Sequence, residues 1–190
     1  MPSQAEIALL VVSALDRLSI PYMIAGSFAA AGYGLSRSTQ DADLVAGMRR
    51  GDGYRLGGEL GADFYLDAQV AEEAIARKSS FSAIYLPEVF KVDFFVLSPR
   101  EYDQQAFARR ARQPFAKDPD RSAFVESPED VVISKLKWYR LGGEVSELQW
   151  GDVLSVLKLQ AGRLDMEYLR RWAAEEEVLD LLERAVQQAS

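Results

Sequence analysis

Histidine and cysteine are both absent from the 190 residues. Within one chain this excludes Ser–His and Cys–His nucleophilic catalysis, thiolate or imidazole metal sites, and disulfides. Any bound metal must take oxygen ligands, which selects Mg²⁺, Mn²⁺ or Ca²⁺; Mg²⁺ typically combines one or two carboxylates with substrate phosphates. The lack of disulfides agrees with a reducing compartment, so a cytoplasmic location is expected. No apolar run approaches the roughly 18–20 residues of a membrane span, and the N-terminus lacks the basic flank of a signal peptide. Positive charge is scarce too: 22 Lys and Arg face 29 Asp and Glu, a net −7. That balance disfavours broad non-specific binding to nucleic acid. Basic clusters remain at Arg49-Arg50 with Arg55, at Arg109-Arg110 with Arg112, and at Lys135, Lys137 and Arg140. Such clusters are usually solvated faces, but a triphosphate site would need one of them.

What is present is a 48% hydrophobic chain, enough for a sizeable core in one domain or in two small ones packed together. Its most informative stretch is Gly26-Ser27, then thirteen residues, then Asp41-Ala42-Asp43. Tyr22 to Ala25 read as a buried strand after Pro21. Gly26 breaks the strand and lets the backbone approach a ligand closely, while Ser27 stands where a helix begins and offers unpaired N–H groups. Its hydroxyl could cap that helix or meet a phosphate oxygen. Asp41 to Val45 are again strand-like, and residues two apart on a strand face the same way. Asp41 and Asp43 therefore share one side, a spacing suited to gripping a pair of cations. A lone Gly-Ser is usually a turn and a lone Asp-x-Asp usually a solvated turn or cap; together and in this order they point to a phosphate–metal site. Asp93 adds to this, because it interrupts the apolar run Lys91 to Leu97, where burial of an unpaired acid is costly. A cation would offset that cost, and so would an ion pair with a Lys or Arg.

The order of elements predicts an α+β fold. An amphipathic helix spans 4–18, followed by the strand at 21–25 and an Ala-rich helix from Ser27 to Tyr33, ended by Gly34. A strand at 42–46, a helix around 54–60, a short strand at 63–66 and a helix capped by Asp67 come next. Residues 81–86 and 89–97 flank Pro87-Glu88 as a hairpin. Ser98 as N-cap with Pro99 opens a helix whose basic end reaches Arg112. Phe115 and Phe124-Val125 are short strands within a Pro- and charge-rich junction. Beyond it, Ser127-Pro128 starts a helix to Leu141, Ser146 to Gln149 form a capping box, Asp165 caps a further helix, and Val178 to Ala185 mark the last. Residues 1–115 form the core and 116–190 a helical region packed on it. Trp138, Tyr139, Trp150 and Trp172 read as core aromatics, with base stacking as the alternative.

At Gly26, Ser27, Asp41, Asp43 and Asp93 the chain resembles the nucleotidyltransferase superfamily built on the DNA polymerase β-like core. Arg37-Ser-Thr39-Gln-Asp-Ala-Asp43 and Ser127-Pro-Glu-Asp-Val-Val-Ile-Ser-Lys135-Leu further resemble AbiE-type toxin nucleotidyltransferases and related bacterial proteins. The resemblance implies a mixed-sheet core flanked by helices and followed by a C-terminal helical bundle. It implies nucleotidyl transfer from an NTP to an acceptor hydroxyl with pyrophosphate release, using Mg²⁺ or Mn²⁺ held by Asp41, Asp43 and Asp93. Gly26, Ser27, Arg37, Thr39 and Lys135 would hold the nucleotide's phosphates. For Lys135, snorkelling to water is the alternative, and for Arg37 and Thr39 it is hydrogen bonding within the loop. The acceptor is left open among an RNA end, a protein hydroxyl and a small molecule. The subgroup adds the role of a toxin with an antitoxin protein as partner. Two rivals stand beside this reading: a catalytically inactive nucleotidyltransferase-fold protein that senses nucleotide or docks a partner, and a helical interaction protein on an α/β scaffold.

Overall fold

A computed structural model describes residues 2–33, 41–114 and 121–189. Gly34, Arg37, Thr39 and Phe115 lie outside the described residues. In chain order, helix α1 (Gln4–Arg17) leads to strand β1 (Tyr22–Ala25), helix α2 (Gly26–Gly32) and strand β2 (Asp41–Ala46). Then follow α3 (Asp52–Leu60), β3 (Phe64–Tyr65), α4 (Ala68–Arg77) and the hairpin of β4 (Ser80–Tyr85) and β5 (Phe90–Val96). Next come α5 (Glu101–Arg109), β6 (Ala111–Pro114) and β7 (Ser122–Val125). The chain closes with helices α6 (Pro128–Leu141), α7 (Glu147–Leu159), α8 (Met166–Glu175) and α9 (Leu179–Ala189). Among the described residues no helix is long and apolar enough to cross a membrane.

The strands form one mixed sheet in the order β3-β4-β5-β2-β1-β7-β6. β2 lies at its centre, antiparallel to β1 and parallel to β5. Its alternation decides which way it faces: Ala42, Leu44 and Ala46 are buried, whereas Asp41, Asp43 and Val45 are only half-buried. The period-2 pattern thus turns one side of the strand to the core and the other to a cleft. α1 buries Ile7, Val11, Ala14 and Leu15 in that core and begins at a capping box between Ser3 and Glu6.

Two helix starts differ from expectation. Ser98 accepts a hydrogen bond from the Arg100 N–H two residues on (3.2 Å), a local turn that competes with capping, and α5 begins only at Glu101. It also stops at Arg109, not Arg112, because residues 111–114 pair antiparallel with β7 as the sheet's edge strand. An exposed, arginine-bearing edge strand shows no apolar alternation, so its pattern is silent. At Ser146 only half of the capping box forms: its hydroxyl accepts from Gln149 N–H at 3.3 Å, while the Gln149 side chain turns to Lys135. Ser127, Asp67 and Asp165 cap their helices as expected.

Candidate active site

The bend between β1 and α2 is built around Gly26, whose φ of +61° favours glycine. The space its side chain would need is taken: a Cβ there would fall 2.2 Å from Asp43 Oδ2. The antiparallel register of β1 and β2 causes this contact, pairing Ala25 with Asp43. The parallel register on the other side pairs Asp43 with Asp93 and Asp41 with Lys91. All three aspartates therefore project from the cleft side of the sheet's middle strands. Ser27 does not cap α2, which has no side-chain cap; instead its Oγ lies 3.4 Å from Lys135 Nζ.

Charge is crowded here. Burial, then the charges of Asp41 and Asp93, push the Asp43 carboxyl up to about 6, with Lys135 and Lys91 pulling the other way. Asp93 is held on both sides: Lys91 Nζ lies 2.7 Å from its Oδ2, and the Ser82 hydroxyl donates to its Oδ1 at 2.5 Å. Both readings of Asp93 thus meet in one place, since the residue is ion-paired and also faces the other two acids. With Asp93 so engaged, the side chains as placed make no ready three-ligand metal cluster among the described residues. The donor set still fits a hard cation. It consists of oxygen donors alone, and Asp43 carries a repulsion that a divalent ion would relieve.

Lys135 does not snorkel. It is 3% exposed, with Nζ 2.7 Å from Asp152 Oδ2 and 3.5 Å from Gln149 Oε1. α6 thereby places an ammonium beside the Ser27 hydroxyl, on the wall of an open cleft of about 720 Å³ that also contains Gly26 and Asp43. Arg37 and Thr39 lie outside the described residues.

Sequence reasoning missed Glu126 and Asp152, and it read Trp138 as a core aromatic with base stacking as the alternative. Glu126 accepts from the Gly26 N–H at 3.3 Å, and its own N–H donates to Ile24 O at 2.9 Å, joining β7 to β1. Burial, with the nearby Asp130 charge adding to it, pushes the Glu126 carboxyl up to about 8. Its only sequence signal is an acid just before the Ser127 helix start. Asp152 had a clearer one: it falls at helical spacing with Val153, Val156 and Leu157 on the buried face of α7, where an acid needs a partner. Trp138 is not a core residue. It is 56% exposed and lines the cleft.

No family model matches the chain, and no curated protein does. Solved structures do match. The solution structure of the antibiotic-resistance factor ANT(2'')-Ia superposes with a TM-score of 0.52 at 16% identity, covering 97% of each chain. A crystal structure of ANT(2'')-Ia in complex with adenylyl-2''-tobramycin gives 0.55 at 14% identity, over 93% of this chain and 98% of that one. An antigenic nucleotidyltransferase-like protein from Paracoccidioides brasiliensis gives 0.49 at 17% identity over 98% and 94%. The chain thus has the fold of nucleotidyltransferases: a mixed sheet flanked by helices, with further helices at the C-terminal end.

Proposed function

We propose that the protein transfers a nucleotidyl group from an NTP to an acceptor hydroxyl. The observation that carries this reading is the meeting of Asp43 with the Gly26 bend, with Asp93 in register beside it. Asp41, Asp43 and Asp93 would hold Mg²⁺ or Mn²⁺, which when bound neutralises triphosphate charge and charge developing on the entering and leaving oxygens. Lys135 and Ser27 hold phosphate oxygens on the wall beside the bend, and the Gly26 backbone leaves room for them. The acceptor oxygen bonds to the α-phosphorus as the bond to the pyrophosphate oxygen breaks. Asp93 takes the hydroxyl proton, the chain having no histidine to serve as that base. The buried pair Lys135–Asp152 fixes where the ammonium sits.

The acceptor is an RNA end, a protein hydroxyl or a small molecule. The ANT(2'')-Ia complex with adenylyl-2''-tobramycin makes an aminoglycoside pool one arm of the assay. Incubation with α-labelled NTPs and Mg²⁺ should move label onto one of the three pools and release pyrophosphate; Asp43→Asn should abolish both. Equal transfer by that variant would overturn the proposal. Tight NTP binding without pyrophosphate release from any pool would instead favour a nucleotide sensor. The likeness of residues 37–43 and 127–136 to AbiE-type toxins supports a toxin role with an antitoxin partner in the cytoplasm. Growth arrest by the wild type and not by Asp43→Asn is the outcome that role requires.

A further inference from the structure

The cleft has two chemistries, separated by one pleat of the sheet. The register that aligns Asp43 with Asp93 also aligns Met23, Val45 and Phe95 across β1, β2 and β5, two residues further along. Two residues on a strand span about 6.5–7 Å, so an apolar row lies that far from the acids on the same face. All three residues line the cleft. The facing wall repeats the division on α6. Lys135 stands beside the Ser27 hydroxyl, and one helical turn later Trp138 and then Leu141 line the cleft at 56% and 74% exposure. The other two tryptophans have ring partners: Trp150 on Tyr139 with centroids 5.1 Å apart, and Trp172 on Tyr102 at 5.3 Å. Trp138 stacks on no ring among the described residues. A large indole left exposed in the same cleft as that apolar row, one turn from an ammonium, is a platform for a flat ring tethered to phosphates.

We infer that the ring this end of the cleft takes is the nucleobase of the NTP, stacked on Trp138 above Met23, Val45 and Phe95 while the phosphates lie at Lys135 and Ser27. This rests on the nucleotidyltransferase reading and deepens it. A base stands off its phosphates by the length of the sugar, which matches the one-pleat, one-turn offset between the two ends. Stacking on an aromatic face is tolerant of base identity, since every base has a π-face.

The test is a calorimetric titration with Mg²⁺ of each NTP and of inorganic tripolyphosphate into wild type, Trp138→Ala and Trp138→Phe, with sedimentation velocity on each. Trp138→Ala should weaken NTP binding by on the order of ten-fold, leave tripolyphosphate binding as in wild type, and leave the sedimentation coefficient unchanged. Trp138→Phe should retain most of the NTP affinity. Unchanged NTP affinity in Trp138→Ala, an equal loss for tripolyphosphate, or a changed oligomeric state without a change in NTP binding would each overturn the assignment while leaving the phosphate site standing. A wild type that binds neither NTP nor tripolyphosphate would overturn it together with the enzymatic reading.

Discussion

At Gly26 the backbone and the Asp43 carboxylate compete for one volume, and only the missing side chain lets both fit. Gly26→Ala should therefore cost about 1–3 kcal/mol from its left-handed conformation alone, with more from displacing the carboxylate; urea unfolding measures it. Asp43 makes the opposite kind of prediction. A carboxyl raised in the fold binds its proton more tightly there than in the unfolded chain. Its ionisation therefore weakens the fold above about pH 6, and this penalty vanishes below the ordinary value of 3.8. Asp43→Asn should melt at a higher temperature than wild type at pH 7–8 in EDTA, with the two converging near pH 4. Glu126, raised to about 8 from 4.5, should make wild-type stability fall between those pH values by at most about 1.4 kcal/mol per pH unit. Glu126→Gln should flatten that slope in denaturation curves collected across the window. A slope unchanged by the substitution would show that the carboxyl does not titrate as its burial demands.

Between elements, the contact that matters most is the ion pair joining α6 to α7. Lys135 and Asp152 are each only 3% exposed, so removing one partner strands a buried charge. Asp152→Ala should cost about 3–5 kcal/mol of folding stability, whereas replacing both with apolar residues of similar volume should recover most of it. Matched unfolding of the single and double variants measures the difference. Elements were legible where a local rule acts on the backbone. The caps at Asp67, Ser127 and Asp165 and the hairpin around Pro87-Glu88 follow from side-chain oxygens and turn residues, and they occur as read. The strand at 111–114 was not legible, because an exposed edge carries no hydrophobic alternation and its pairing with residues 122–125 is a tertiary fact. Ser98-Pro99 misled for a related reason: its hydroxyl satisfied a nearer N–H, and the helix waited two residues.

For the whole molecule, the sheet order places the bend, two acids of β2 and one of β5 on adjacent strands, although 67 positions separate residues 26 and 93. The aspartates and the bend were legible because polar residues in strand-like runs need a chemical reason. Glu126, the partner that Asp152 finds and the exposure of Trp138 were not, since each depends on which elements pack together. A ligand that binds only the folded state raises stability by about 2.7 kcal/mol at one hundred times its Kd. Mg²⁺ and NTP together should therefore raise the melting temperature by more than the sum of their separate effects. The most direct measurement is calorimetric titration of NTP into wild type and Asp43→Asn, each with Mg²⁺ and with EDTA. The account predicts saturable binding only for wild type with Mg²⁺. Equal affinity in Asp43→Asn, or in EDTA, would contradict it.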